Sequence, residues 1–258
     1  MKTLAIIQAR MTSTRLPGKI LMKIGGQSLL EINLRRIAKA DNIDKIVVAT
    51  TNLPSDDKTA ELVESLGFAV FRGDENDVLD RFYQAASQQS EQQSEQPKYI
   101  VRLTADCPLI DAELIDKIIR HTLDHELDYC SNTLDPHYPD GQDAEVFKFS
   151  ALQQAWQEAK LPSEREHVTP YIWSNSTFKG GTLFKSDNYA ESGKNYGHLR
   201  MTVDERADYE LISALISKLG TDRSWQEYAD CMEQHIEIKG INHDIARNEG
   251  FTKSLQAD

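Results

Sequence analysis

The chain has 258 residues, 40% hydrophobic and 27% charged, an ordinary makeup for a soluble globular protein with room for one sizeable α/β unit. Its 29 Lys and Arg stand against 41 Asp and Glu, and the net charge of −12 argues against unspecific nucleic-acid binding and against a polybasic membrane contact. Any anionic ligand must therefore be met by a local basic site, which makes the position of each Arg and Lys informative.

In chain order, short apolar runs rich in β-branched residues at 4–7, 46–50, 69–71 and 99–103 predict buried strands. Between and after them, apolar residues recurring at three- and four-residue steps predict helices over 29–40, 56–66, 77–86 and 112–123. Asp56 and Asp111 stand where helix N-caps are expected, and Gly67 stands just past a helix end. Such alternation implies an α/β fold with a mainly parallel sheet covered by helices on both faces, and ligands in such folds bind beyond the carboxyl ends of the strands. The polar run 88–96, QQSEQQSEQ, cannot bury a core and predicts an exposed loop or frayed helix end. After about Asp128 the alternation breaks down. Tyr138-Pro139-Asp140-Gly141 signals a turn, 145–149 a strand and 151–160 a helix, while 182–185 and 199–203 predict further strands and 208–219 and 225–235 closing helices.

The three cysteines, Cys107, Cys130 and Cys231, form no C-x-x-C pair, so neither a disulfide framework nor a thiolate zinc site is indicated. The apolar start is too short for a signal peptide or a membrane span, which leaves the cytoplasm as the default compartment. His121 and His125 have H-x₃-H spacing, but no third soft ligand lies nearby to make a zinc site.

The loop after the first strand reads Gln8-Ala9-Arg10-Met11-Thr12-Ser13-Thr14-Arg15-Leu16-Pro17-Gly18-Lys19. Three cations, three hydroxyl residues and a Pro-Gly turn directly after a buried strand suit a triphosphate: Arg forks bind phosphate oxygens in pairs, Lys adds a point charge, and loop N–H groups fill in. The loop is not a Walker A motif, because Ser13 and Ile20 stand where Gly and Ser or Thr are required, and it lacks the G-x-G-x-x-G fingerprint. Asp106 follows the strand at 99–103, with Pro108 stiffening its loop. Asp204 follows the apolar run at 199–203 and suits either a metal site or a helix cap, with Asp208 as a competing candidate. Mg²⁺ typically takes one or two carboxylates and leaves its other positions to water and phosphate, a need that Asp106 and Asp204 would meet.

The stretch Ala9-Arg10 with Ser13-Thr14-Arg15-Leu16-Pro17-Gly18-Lys19 resembles the nucleotide loop of the CMP–sugar-acid synthetases, the 3-deoxy-manno-octulosonate and acylneuraminate cytidylyltransferases. Ile7-Gln8-Ala9-Arg10-Met11 is closer to the spore-coat polysaccharide protein F-like branch. The likeness continues through Val47-Val48-Ala49-Thr50-Thr51, Phe71-Arg72-Gly73 with Asp77-Val78-Leu79, and Arg102-Leu103-Thr104-Ala105-Asp106-Cys107-Pro108-Leu109. Asp128-Tyr129 with Ser131-Asn132, Pro139-Asp140-Gly141, Arg165-Glu166-His167-Val168-Thr169-Pro170 and Arg200-Met201-Thr202-Val203-Asp204 extend it to about residue 220.

That resemblance implies a nucleotide-diphospho-sugar transferase-like (GT-A/Rossmann-like) fold, one unit over residues 1–258. Residues 133–185 would form an insertion for dimerisation and sugar binding. It implies transfer of CMP from CTP to the anomeric hydroxyl of an acidic sugar, with Mg²⁺ on Asp106 and Asp204 and release of pyrophosphate. Ala9, Arg10, Ser13, Arg15, Lys19, Arg72 and Thr104 would bind the nucleotide, Arg10, Arg15 and Lys19 holding its phosphates beside Asp106. Asp143, Glu145, Arg165 and His167 fall where the sugar would be bound. Arg72 has an alternative in an ion pair with Asp74 or Asp77, and Arg165-Glu166-His167 in a structural helix turn. The aromatics of 133–185 (Tyr138, Phe147, Phe149, Trp156, Tyr171, Trp173 and Phe178) predict a homodimer interface, because rings bury large apolar areas at modest entropy cost. The rival readings are a sugar-1-phosphate nucleotidyltransferase, whose G-x-G-x-R loop is missing, a glycosyltransferase, and a non-enzymatic nucleotide-binding protein.

Overall fold

The first half of the chain alternates as the apolar runs predict. A computed structural model describes residues 2–93, 96–247, 249–255 and 258, the side chains of 90–93 and 253 excepted. Strand β1 (Thr3–Gln8) leads through a loop and a small hairpin, β2 (Lys23–Ile24) and β3 (Gln27–Ser28), into helix α1 (Leu29–Ile37). Then come β4 (Lys45–Thr51), α2 (Asp57–Ser65), β5 (Ala69–Gly73), α3 (Val78–Gln93), β6 (Tyr99–Thr104) and α4 (Ala112–Asp124). The second half continues with β7 (Tyr129–Ser131), β8 (Glu145–Lys148), α5 (Phe149–Glu158), α6 (Pro162–His167), α7 (Pro170–Ser174) and β9 (Ser186–Asn188). It closes with α8 (Arg206–Leu219), α9 (Trp225–Gln234), α10 (Ile236–Lys239) and α11 (Glu249–Ser254).

Seven strands form one sheet in the order β5-β4-β1-β6-β8-β7-β9. The neighbours β5, β4, β1 and β6 pair in parallel, whereas β8 runs antiparallel between β6 and β7. Residues on both faces of β1 are buried, Ala5 and Ile7 in one apolar cluster and Leu4 and Ile6 in the other, so helices must cover the sheet on both sides. Two directions of strand then decide what gathers at one edge. Gln8 pairs with Thr104, so the loops after β1 and β6 emerge side by side. Because β8 runs backwards, with Glu145 opposite Arg102, the residues before it arrive at that same edge.

Several expected elements differ. Residues 182–185 are not a strand; Phe184 makes a lone bridge to Ser176, and β9 follows just after. Residues 199–203 are not a strand either, because their backbone partners lie in two loops: Met201 N–H donates to the Asp140 carbonyl (2.6 Å) and Val203 N–H to that of Asp106 (2.8 Å). The polar run at 88–96 continues α3 to Gln93, and Ser94 and Glu95 lie outside the described residues. Asp111 caps α4, accepting from Leu114 N–H at 3.0 Å. Asp56 does not cap α2 with its side chain; it turns inward to the loop after β1.

The rings of residues 133–185 are largely used inside the chain. Tyr138, Phe147 and Phe149 are buried, Trp156, Tyr171 and Trp173 pack against the second cluster, and Phe178 is the exposed one. Glu145–Lys148 belongs to the central sheet, so this stretch is not an appendage with a ring surplus to hide. The homodimer expectation loses that support.

Gly141 shows how tightly the irregular stretch is held. Its φ is +102°, and a Cβ there would lie 2.6 Å from the backbone of Met201 and Thr202. Gly141→Ala should lower stability in urea unfolding by about 2–4 kcal/mol, because backbone strain and overpacking act together. Gly180→Ala, at a φ of +82° with open space around it, should cost only about 1 kcal/mol.

Candidate active site

The loop after β1 is anchored before it can bind anything. Ala9 N–H donates to the Ala49 carbonyl (3.2 Å), and Gly18 N–H closes the loop on the Met11 carbonyl (2.9 Å). The wholly buried Asp56 accepts Met11 N–H at 2.9 Å and also bonds the Thr51 hydroxyl. Across from it, Asn33 on α1 donates to the carbonyls of Thr104 (3.3 Å) and Cys107 (2.8 Å) and so fixes the loop that carries Asp106.

The loop and the two carboxylates meet at one point. The nearly buried Lys19 ammonium lies 2.7 Å from Asp106 Oδ2 and 2.8 Å from Asp204 Oδ1. Arg15 reaches Asp204 at 3.1 Å with one arm of its fork. Behind them the buried Arg200 bonds Asp140 (2.6 Å), Asp204 (2.7 Å) and the fully buried Asp208 (2.9 Å). Asp208 also accepts the N–H groups of Asp204 and Glu205, so it serves as the capping partner of α8 and does not face the cleft. Burial opposes charge on Asp106, but the Lys19 ammonium and its hydrogen bond override it and hold the carboxyl at about 2. Burial likewise opposes charge on Lys19, and Asp106 and Asp204 reverse it, raising the ammonium above its ordinary value.

Two connected spaces open here. A cleft of ≈ 380 Å³ is lined by Ala9, Arg10, Ser13, Arg15, Lys19, Thr104, Asp106 and Asp204. A chamber of ≈ 290 Å³ shares Thr104 and His167 with it and is walled by Arg102, Thr133, Asp143, Glu145 and Trp173. In that chamber Glu145 is an ion-pair partner of Arg102 and accepts from the hydroxyls of Tyr129 and Thr169, both at 2.6 Å. Burial pushes the Asp143 carboxyl up to about 7 despite the Arg247 guanidinium 2.6 Å away, with Asp140 and Glu145 adding to the rise. Burial and then Arg102 hold His167 below the ordinary imidazole value, so it is a neutral hydrogen-bonding group at pH 7.

Two expected residues lie elsewhere. Arg72 donates to the carbonyls of Thr51 (2.9 Å) and Leu53 (2.8 Å) and pairs with Asp57 at 2.7 Å, so its fork braces the β4–α2 turn and is not brought to the cleft. Neither Asp74 nor Asp77 is its partner; Arg165 takes Asp77, with Nε 3.0 Å from Oδ1. Arg165 therefore lines a separate hollow with Arg10 and Glu166, outside the chamber that holds Asp143, Glu145 and His167. His121 bonds Asp187 at 2.8 Å, and no group of three or more His, Cys, Asp or Glu able to hold a metal occurs among the described residues.

Mg²⁺ asks for less than such a group. Asp106 and Asp204 already converge on a single positive charge, the Lys19 ammonium, from separate loops, and both are hard oxygen donors with at least one held ionised. The pair fits the ion. The sequence reading missed Arg102, Arg200 and Arg247, and the first two carried a signal: each is a lone cation inside an apolar run, which burial permits only with a partner. The three cysteines are buried free thiols, and no helix among the described residues is long and apolar enough to cross a membrane.

A family model described as cytidylyltransferase matches residues 4–234. The chain is 35% identical to the spore coat polysaccharide biosynthesis protein SpsF of Bacillus subtilis, over 84% of this chain and 87% of that one. A 3-deoxy-manno-octulosonate cytidylyltransferase of Agrobacterium fabrum is 33% identical over 52% of this chain and 51% of its own. The structure of a cytidylyltransferase from Leptospira borgpetersenii superimposes with a TM-score of 0.84 at 34% identity, covering 93% of this chain and 97% of that one.

Because Asp106 is held below its unfolded value, its contribution to stability is full above about pH 4 and is lost as pH falls toward about 2. Lys19→Met should remove that acid-limb loss, read by urea midpoints between pH 2 and 5. Arg200→Leu should cost about 3–5 kcal/mol in the same assay at pH 7, because it strands the buried Asp208 without a counter-charge and leaves Asp140 only the field of Arg247.

Proposed function

Because this chain belongs to the cytidylyltransferase family, we propose that it joins CMP from CTP to the anomeric hydroxyl of an acidic sugar, releasing pyrophosphate, for a surface polysaccharide or glycan. It is an enzyme of the nucleotidyltransferase class. The observation that carries the reading is the basic loop facing two carboxylates across one cleft, with a second chamber beside it that shares Thr104 and His167. The names of its relatives, a spore-coat polysaccharide protein and a synthetase for a sugar acid, support the acceptor class.

In this reading Arg10, Arg15 and Lys19 bind the β- and γ-phosphates, exchanging their present carboxylate partners for phosphate oxygens. Ser13 and the backbone of Ala9 line the same wall, and Thr104 stands where the two spaces join. A sugar hydroxyl attacks the α-phosphorus, the bond to the β-phosphate oxygen breaks, and the chain contributes by alignment and charge neutralisation. Asp106 and Asp204 would hold Mg²⁺, which supplies positive charge against the α-phosphoryl oxygens. In the chamber Asp143, Glu145 and His167 offer hydrogen bonds to sugar hydroxyls. Arg102 and Lys179 are the cations on the chamber wall for a carboxylate, and Arg102 is already paired with Glu145 there.

The test is pyrophosphate release from a panel of nucleoside triphosphates against several sugar acids. CTP should be preferred, and higher turnover with ATP, GTP or UTP would overturn the reading. Asp106→Asn should abolish turnover with the fold retained, since an amide cannot replace the anionic oxygen, and near-normal rates in Mg²⁺ would remove the metal assignment. Arg15→Ala should weaken CTP binding by about 1.5–3 kcal/mol, measured by calorimetry.

A further inference from the structure

Helix α11 contributes to both spaces, Ser254 to the wall of the cleft and Phe251 to that of the chamber. Arg15 Nη1 lies 3.1 Å from a Glu249 carboxylate oxygen, the arm that Asp204 leaves open. Phe251 packs edge-on against His167, with ring centroids 5.1 Å apart, and against Trp173 at 6.0 Å, and it lines the chamber. The Ser254 hydroxyl lies 2.9 Å from His167 Nε2 and bonds Glu166 at 2.8 Å, while Glu166 in turn lies 3.9 Å from Arg10. Both loop arginines are thus tied to the helix, Arg15 directly and Arg10 through Glu166. Ahead of the helix, Arg247 is bound to Asp143 (2.6 Å) and to the Tyr138 carbonyl (3.2 Å).

We propose that α11 is an intramolecular plug: the Glu249 carboxylate occupies the phosphate seat on Arg15, and a nucleoside triphosphate must evict the helix to bind. This rests on the nucleotide reading of the cleft. A carboxylate and a phosphate are both anions that bind a guanidinium fork through paired oxygens, so they compete for the same arm and repel each other if held together. The helix is six residues long, and opening so short an element costs less than unfolding a core one. Eviction withdraws Phe251 from the chamber wall, so the acceptor space widens as the triphosphate arrives. The match to the family model ends at residue 234, ahead of the plug.

Hydrogen exchange on the full chain, with and without CTP or inorganic tripolyphosphate, tests this. The expected result is slower exchange in residues 9–19 together with faster exchange in 249–254 for either ligand. By calorimetry, Glu249→Gln should bind CTP about two- to fivefold more tightly than the wild type, the effect of losing a half-exposed ion pair that competes. Slower exchange in both segments, with Glu249→Gln neutral or weaker, would show a lid that closes on nucleotide and would overturn the plug. Absence of protection in 9–19 would overturn the nucleotide reading and the plug with it. The exchange measurement uses the wild-type chain, so the outcome does not depend on how a variant folds.

Discussion

Lys19 places its ammonium between Asp106 and Asp204, and three remote stretches of chain are joined by that contact. An ammonium this deeply buried is tolerated only if it is fully paired, and two carboxylates drawn out of water need the same relief. Each partner is then fixed from behind. Asp56 and the Met11 carbonyl hold the loop of Lys19, Asn33 and the Val203 N–H hold that of Asp106, and Arg200 holds Asp204. The proposed phosphate site of this strongly acidic protein thus begins as a neutralised cluster, its charges already in position and needing exchange of partners rather than assembly.

What could be read from residues alone follows how locally each feature is determined. The strands β1, β4, β5 and β6 are apolar on both faces, and such runs leave few other solutions, so their position and the loops after them were legible. The basic loop and Asp106 were legible for the same reason, since each follows a buried strand directly. Residues 199–203 were misjudged because burial there is real but the backbone partners are the Asp140 and Asp106 loops, which no local pattern announces. Arg72 was misplaced by analogy; the strand end was correct, but its fork is claimed by the Thr51 and Leu53 carbonyls and by Asp57. Helix α11 was invisible because it carries little apolar periodicity and is held by the Phe251 ring and polar contacts whose partners lie far away in sequence.

The second half of the site depends on the reversed strand. With β8 antiparallel, Asp143 and Glu145 reach the working edge from the amino end of a strand, opposite to the rule that serves β1 and β6. The proposed acceptor chamber is therefore built from a different kind of chain segment than the proposed nucleotide cleft. It is an irregular run knitted by side-chain amides, with Asn132 bonded to the backbone of Gln142 and Ala144, and Gln142 to that of Leu109 and Asp111.

The same strand order has a consequence for how the molecule assembles on leaving the ribosome. The partners of β1, β4, β5 and β6 emerge in an order that lets the parallel half close early. When β7 emerges, however, the place beside β6 is reserved for β8, which has yet to be made. An unpaired edge of β6 therefore waits through the synthesis of residues 105–144, and β7 is added only with β8 as a two-stranded unit. Nascent chains stopped between β6 and β8 should display that open edge to any strand nearby, making this interval of translation the one most exposed to mispairing.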